Sequence, residues 1–456
     1  MELFGSSGIR GVVGTELASG DVVAVAQAVG SELDAGRVAV ARDTRTTGEM
    51  LVDAAVSGFT SVGVSVDRLG RLPTPGLQFY AEREGVPGLM VTASHNPPEY
   101  NGIKLVADDG VELPRDRLEA IESRLLADGD PAAVAWHETG ETRFVDDARQ
   151  RYVADLLGAV DREAVTDANL TVAVDPGNGV GALTSPTFFR RLGCTVKTIH
   201  AQPDGHFPGR NPEPVAENLG DLRRFVRATD ADLGVAHDGD ADRAVFVDER
   251  GRVVSGDAAL AALAAAELAA GDTVVSAVNA SQRLVDAADE AGADLALTPI
   301  GSTHIATRIR RLRAEGHRVA VAGEGNGGII FPDYRVARDG AYTAARFCEL
   351  LAARDAPASR VVARYDDYEN VRLNVPYEDE REREAMLEAI ERTARGADAD
   401  LNTTDGYRLD YGDGWVLARP SGTEPVVRVY AEARDADRAA DLADVMGDPL
   451  SGIEAE

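Results

Sequence analysis

Leu170-Thr-Val-Ala-Val-Asp175 leads into Gly177-Asn-Gly-Val-Gly181, a helical stretch to Leu192, Gly193, and a second extended run, Cys194–His200. A short apolar, β-branched run bounded by turn residues reads as a buried strand. The order is therefore strand, Asp- or Asn-bearing turn, helix, glycine, strand. It recurs at Arg37-Val-Ala-Val-Ala-Arg-Asp43, with a helix near 48–59 and Val62-Gly-Val-Ser-Val-Asp67 behind it. It recurs again at Thr273-Val-Val-Ser-Ala-Val-Asn279, with a helix near 281–291, Gly292, and Ala293–Pro299. Each stretch has the length of a strand–helix–strand crossover, which predicts three related α/β domains with mixed sheets.

Further along, a long helix is expected over Asp257–Ala270, with Asp257 as N-cap and Gly271 as stop. Residues 353–361 read as a linker, and the character of the chain then changes. A strand near 369–375, a charged helix near 378–396, and strands around Trp415 and Val426–Ala431 make an α+β pattern. The expected division is 1–149, 150–250, 251–360 and 361–456, the last domain unlike the first three. A chain of 456 residues has length for such cores.

Composition narrows the function classes. Acidic residues number 77 against 47 basic ones, giving a net charge of −30. Such a surface repels nucleic acid and anionic membrane, so neither is an expected partner. Dense carboxylates suit a salt-adapted protein; genomic base composition is the other explanation for arginine's excess over lysine. The only lysines are Lys104 and Lys197. Two cysteines, Cys194 and Cys348, lie outside any metal-like spacing and point to a reducing, cytoplasmic compartment. No secretory signal is legible at the N-terminus, and the Ala-rich run 258–270 is too short and interrupted for a membrane span. The remaining partner is a small molecule, with a monomer or homodimer expected.

The chemistry concentrates in a few loops. Thr92-Ala-Ser-His-Asn-Pro-Pro-Glu-Tyr-Asn-Gly-Ile-Lys104 follows the apolar strand Gly-Leu-Met-Val at 88–91. Pro97 and Pro98 end any regular element, which puts Ser94 and His95 on a tight turn. Asn101-Gly102 is expected to make a second turn before strand resumes at Ile103, with Lys104 folding back toward Ser94. No Gly-x-Ser-x-Gly elbow surrounds Ser94, and His95 is its neighbour, so acyl transfer is disfavoured and a phosphoryl-carrying serine fits better.

Asp238-Gly-Asp-Ala-Asp-Arg243 lies between expected strands at Asp232–Ala236 and Ala244–Val247. Alternation in extended backbone would put Asp238, Asp240 and Asp242 on one face, a hard oxygen set suited to Mg2+. A calcium loop has similar spacing, even to Glu249 at the twelfth position, but needs glycine where Arg243 stands and helices where strands are expected. Arg419-Pro-Ser-Gly-Thr-Glu-Pro425 with Arg428 offers hydroxyls, amides and guanidinium groups for a phosphate dianion, and alone it reads equally as a structural turn.

Gly323-Glu-Gly-Asn-Gly-Gly328 has the glycine spacing of a dinucleotide fingerprint, yet Ile329-Ile-Phe-Pro332 continues as strand rather than helix. Glu324 and Asn326 suit sugar hydroxyls instead. Gly5-Ser-Ser-Gly-Ile-Arg-Gly11 presents Arg10 on a loose turn. His237 reads as a structural histidine at a strand end, and His304 as a surface one.

Taken in order, the Gly8-Ile-Arg-Gly11 start, Thr-Ala-Ser-His-Asn-Pro, Asp-Gly-Asp-Ala-Asp-Arg and Arg-Pro-Ser-Gly-Thr-Glu-Pro resemble the α-D-phosphohexomutase family along the whole chain. The resemblance implies four domains around a central cleft, each giving one loop. It implies that Ser94 is a phosphoserine whose phosphate joins Asp238, Asp240 and Asp242 on Mg2+. Arg10, His95, Lys104 and Arg243 would assist phosphoryl transfer, and Glu324, with Asn326, would read sugar hydroxyls. Arg419, Ser421, Gly422, Thr423 and Arg428 would hold the non-reacting phosphate, with a hexose 1,6-bisphosphate as intermediate and activator.

The sugar loop departs from the familiar Gly-Glu-Met-Ser-Gly-His or Gly-Glu-Gln-Ser-Gly-His, having Asn326 and Gly328 in place of Ser and His. This form resembles the archaeal phosphoglucosamine mutase branch. Glucosamine phosphate is the expected substrate, with mannose or glucose phosphate as the alternative. A sugar phosphatase and a non-catalytic metal-binding module are the readings from other classes.

Overall fold

In all three repeated stretches the two strands lie side by side and parallel. Arg37–Arg42 pairs with Ser65–Arg71, Thr171–Asp175 with Thr195–Thr198, and Thr273–Ala277 with Asp294–Thr298. The helices Gly48–Ser61, Ser185–Leu192 and Gln282–Ala291 make the crossovers. A parallel pair cannot be joined by a tight turn, so a helix carries the chain back.

The structure, a computed structural model, describes residues 8–33, 35–126, 133–365, 367–421, 425–451 and 453. They group into two units, one of residues 1–259 with 326–361 and the other of residues 260–325 with 362–456. No helix among the described residues is long and apolar enough to cross a membrane.

The first unit holds two sheets. One is mixed, in the order Ile9–Val12, Tyr100–Val106, Gly88–Val91, Arg37–Arg42, Ser65–Arg71, Thr142–Phe144. Val38, Val40, Leu51, Phe59, Leu89 and Ile103 are among the side chains packed in its core. The other runs Val253–Val254, Val245–Asp248, Leu233–Ala236, Thr171–Asp175, Thr195–Thr198. The antiparallel pair Gly328–Phe331 and Arg335–Arg338 and the helix Gly340–Arg354 also belong to this unit.

In the second unit Thr273–Ala277 is flanked in parallel by Asp294–Thr298 and Val319–Glu324. Its other sheet is antiparallel throughout, in the order Glu369–Pro376, Val426–Ala433, Gly414–Pro420, Tyr407–Asp410, Asp400–Asn402. Helices Glu380–Gly396 and Ala436–Gly447 cover its apolar face, the α+β pattern expected of this segment.

Three local expectations are corrected. Asn101-Gly102 is not a turn but lies inside the strand Tyr100–Val106, opposite Gly11 and Arg10. The turn falls earlier, closed by Tyr100 N–H to Pro97 O at 3.1 Å. Gly102 is needed for space: a Cβ there would come within 2.3 Å of Ile9 O and 2.8 Å of Thr92 O.

The helix expected over 257–270 is Gly256–Glu267. Its cap is Ser255, whose Oγ accepts Ala258 N–H at 3.1 Å, and Asp257 sits in the first turn, where its charge suits the helix N-terminus. The end comes early because Asp272 Oδ2 captures Ala269 N–H at 2.8 Å and starts a turn. Nor is 353–361 a plain linker. Asp355 turns left-handed at φ 46 to end one helix, and Ala358–Val362 forms another after Pro357, whose ring suits a helix start.

Gly102→Ala should lose about 1–3 kcal/mol in urea unfolding, because the new methyl meets backbone on both sides. Gly20→Ala, in the helix Ser19–Glu32 with nothing within 4 Å of its Cβ position, should gain about 0.5–1 kcal/mol in the same measurement.

Candidate active site

The strand Gly88–Val91 delivers the chain to Ser94, which is buried and held left-handed at φ 50. A non-glycine residue keeps that conformation only when its surroundings over-determine it. Arg45 does so. Fully buried, it donates from Nη1 to Pro97 O (2.5 Å) and Tyr100 O (2.8 Å), and from Nη2 to Ser94 O (3.0 Å) and Asn96 O (2.6 Å). Its Nε reaches Asp43 Oδ2 at 3.1 Å. Asp43 also accepts from Thr92 Oγ1 (2.7 Å), and that hydroxyl accepts Ser94 N–H (2.9 Å). The loop is thus gripped from both ends by the turn after Arg37–Arg42.

Ser94 Oγ donates to Asp238 Oδ2 at 2.7 Å. The three aspartates do converge, offering ligand oxygens within 4.8 Å of one another. They do so on a turn rather than in extended backbone, because Ala241 is left-handed at φ 59 and Ala241 N–H closes on Asp238 O. Gly239 lets this turn meet the Ser94 loop; a Cβ there would lie 2.5 Å from Ser94 O. The flanks, Leu233–Ala236 and Val245–Asp248, are antiparallel strands, and Glu249 bonds Ser359 instead of facing the loop. A calcium loop of the helix–loop–helix type is thereby excluded.

The donor pattern is informative. Asp240 Oδ2 accepts from Lys104 Nζ (3.0 Å) and Thr74 Oγ1 (2.5 Å). Asp242 Oδ2 accepts from the same Nζ (3.0 Å) and from Arg338 Nη2 (2.7 Å). Asp240 Oδ1 and Asp242 Oδ1 are buried with no hydrogen-bond partner. Bare buried carboxylate oxygens are costly unless something fills the gap, so this donor set fits a bound cation.

Burial, opposed by Lys104 and the Thr74 hydroxyl, leaves Asp240 below the usual carboxylate range. Burial together with the charges of Asp242 and Asp240 pushes Asp238 well up. Burial alone would lower Lys104, but Asp240 and Asp242 hold it above its ordinary value, so it is a fixed ammonium. His95 is driven down to about 2 by burial and by Arg243 and Arg10, so its ring is neutral. Arg243 Nη2 lies 3.1 Å from His95 Nδ1, which makes Nδ1 the acceptor and leaves the proton on Nε2. Arg10 Nη1 bonds Asn96 Oδ1 at 2.8 Å.

Ser94, His95, Arg10, Lys104, Arg243 and the three aspartates are therefore assembled within one unit. Asn326 belongs to the same unit, where its Oδ1 accepts Gly328 N–H at 3.0 Å. Glu324 is buried at the end of Val319–Glu324 in the other unit. There too Arg419 Nε bonds Asp405 Oδ1 (3.0 Å), Ser421 N–H bonds Val426 O (2.8 Å), and Arg419 stands opposite Arg428 across the strand pair. Gly422 and Thr423 lie outside the described residues. His237 is structural as expected, its Nδ1–H on Arg243 O at 2.8 Å, while His304 is half-buried in the helix Ser302–Ala314. A 630 Å³ cavity lined by Leu170, Asp232, Leu351 and Pro357 involves none of these residues.

Arg45, Thr74 and Arg338 escaped the sequence reading, since none lies in a motif with its own chemistry. The one available signal was position: Asp43 and Arg45 follow a strand end directly, and Thr74 opens the helix Thr74–Glu84.

Four family models cover nearly the whole chain: phosphoglucomutase/phosphomannomutase α/β/α domain I over residues 1–131, domain II over 150–251, domain III over 255–368, and the C-terminal domain over 373–448. A probable phosphoglucosamine mutase of Methanopyrus kandleri is 42% identical over 97% of this chain and 96% of its own. A phosphoglucomutase/phosphomannomutase of Thermococcus kodakarensis is 40% identical over 96% of each. Among solved structures, a phosphoglucomutase/phosphomannomutase family protein of Burkholderia thailandensis superposes with a TM-score of 0.87 at 29% identity, covering 99% of this chain and 97% of that one.

Arg45→Met removes a buried guanidinium and strands Asp43; calorimetry should register a loss of about 3–5 kcal/mol, and proteolysis should open the 94–100 loop. His237 is held at about 4 by burial, against an ordinary 6.5. Its contribution to stability is complete above pH 6.5 and is lost as pH falls through 4, because the unfolded chain takes up the proton first. His237→Asn should flatten the pH dependence of the unfolding free energy across that window by about one proton.

Proposed function

The chain belongs to the phosphoglucomutase/phosphomannomutase family of hexose-phosphate mutases, and from that premise we propose that it interconverts glucosamine 6-phosphate and glucosamine 1-phosphate. The observation that carries the mechanism is Ser94 Oγ on Asp238 Oδ2 at 2.7 Å, beside two bare aspartate oxygens and a buried ammonium.

In this reading Ser94 is a phosphoserine; Asp238, Asp240 and Asp242 would hold Mg2+, which would supply positive charge to offset that of the moving phosphoryl group. The sugar hydroxyl attacks the phosphorus as the P–Oγ bond breaks and its proton passes to the departing Ser94 Oγ, giving a 1,6-bisphosphate and a free serine hydroxyl. The bisphosphate reverses its orientation, and Ser94 takes back the other phosphate. Trace hexose 1,6-bisphosphate accordingly activates the enzyme.

Lys104 neutralises phosphoryl oxygens rather than accepting a proton, since Asp240 and Asp242 keep it charged. Arg10 and Arg243 add positive charge, and Arg243 orients His95 so that Nε2–H serves as a donor. Glu324 and Asn326 are assigned to sugar hydroxyls. Arg419, Ser421, Gly422, Thr423 and Arg428 are assigned to the distal phosphate. Arg419, bonded to Asp405 at 3.0 Å, stands opposite Arg428 on the strand pair, so two guanidinium-bearing residues adjoin the turn assigned to the phosphate.

The four domains would divide near 149, 250 and 360, and a salt-adapted, cytoplasmic monomer or homodimer is the companion expectation, supported by net charge −30 and two free thiols. Glucosamine is preferred because relatives with this chain's full span carry the name phosphoglucosamine mutase; the Thermococcus relative keeps mannose and glucose as the second reading.

Two measurements test this. Ser94→Ala should abolish turnover and phosphoprotein formation while keeping reduced Mg2+ affinity; unchanged turnover would end the phosphoserine mechanism. Wild-type kcat/KM with Mg2+, trace bisphosphate and high salt should favour glucosamine 6-phosphate over mannose 6-phosphate and glucose 6-phosphate. Equal or better use of either neutral sugar would overturn the substrate but keep the chemistry.

A further inference from the structure

We propose that Thr74 and Arg338 are positioning residues that select the metal, by leaving Asp240 and Asp242 one free oxygen each. The proposal rests on the reading that the aspartate triad holds a dication. In both aspartates Oδ2 carries two donors, Thr74 and Lys104 on Asp240, Arg338 and Lys104 on Asp242. In both, Oδ1 is buried and bare. Arg243 Nε stands 3.8 Å from Asp242 Oδ1, too far to bond it.

A carboxylate whose second oxygen is occupied binds a cation through one oxygen only. Ca2+ takes six to eight oxygens and often uses both from one carboxylate; Mg2+ takes six in a tight octahedron. The pattern of blocked oxygens therefore disfavours Ca2+ without any loss to a small octahedral ion. Lys104 alone does not suffice, because one ammonium shared between two carboxylates leaves each free to rotate about it. Thr74 and Arg338 supply the second point of attachment.

Arg338 has a dedicated route to Asp242. It crosses Gly328, where a Cβ would lie 2.7 Å from Arg338 Cδ, and Glu112 lies 3.8 Å from its Nη2. Gly328 does not have the positive φ of Gly327, so its lack of a side chain serves space rather than backbone conformation. The departure from the family's usual sugar loop at this position thus has a physical partner in Arg338.

The test is calorimetric titration of the dephosphorylated full-length protein with Mg2+, Mn2+ and Ca2+. Wild type should bind Mg2+ and Mn2+ in preference to Ca2+. In Thr74→Val and Arg338→Met the ratio of Mg2+ to Ca2+ affinity should fall about tenfold, the scale on which outer-shell partners tune a metal site. Thr74→Ser and Arg338→Lys should restore much of it. Gly328→Ala removes no donor but displaces Arg338, so it should move the ratio as Arg338→Met does, and it decides the matter if Arg338→Met fails to fold.

An unchanged ratio in Thr74→Val and in the Arg338 or Gly328 variant would overturn the proposal, as would a wild type that binds Ca2+ at least as tightly as Mg2+ or binds no dication. Mutase turnover is measured separately, so a failure of the catalytic reading leaves a different signature from a failure of metal selection.

Discussion

One ammonium group buried between two carboxylates is the constraint on which the first unit depends. Lys104 comes from a strand of the first sheet and is 4% exposed; Asp240 and Asp242 come from the turn between two strands of the second. Without the aspartates Lys104 would be an unpaired buried charge, which costs several kcal/mol, and without Lys104 Asp240 would keep only the Thr74 hydroxyl and Asp242 only Arg338 on Oδ2. The chemistry and the joining of two sheets are thus one interaction. Catalytic positioning inherits rigidity from the strand that carries Lys104 and the strands that flank the aspartate turn, while the Ser94 loop needs support of its own.

Arg45 extends the same logic. Its guanidinium collects four backbone carbonyls of the Ser94 loop and one carboxylate. Polar backbone that cannot pair within a sheet must find another donor, and the strain at Ser94 is tolerated because this donor set leaves the loop no alternative. The loop's two prolines break regular structure; Arg45 decides what replaces it.

How much was legible in the sequence follows from range. The crossovers are local: apolar strand, turn, helix and glycine lie within one window, and all three formed as parallel pairs. The site residues were legible as residue types, because Ser94, Lys104 and the three aspartates carry distinctive chemistry at short spacing. Their conformations were not. Asn101-Gly102 has turn composition but is claimed by the strand Ile9–Val12 on one side and by Thr92 N–H on Gly102 O on the other, and the aspartates meet through a left-handed Ala241 that no propensity would assign. Arg45, Thr74 and Arg338 act across 49, 166 and 96 residues of sequence, and partnerships at that distance leave no mark in a single chain.

The Gly328–Arg338 contact also constrains how this loop can change over descent. A side chain at 328 meets Arg338 Cδ at 2.7 Å while Arg338 holds Asp242. A histidine at 328 therefore requires Arg338 to move away from the position in which it holds Asp242. If Arg338 tethers Asp242 as proposed, the two positions are coupled, and a substitution at one changes the effect of a substitution at the other.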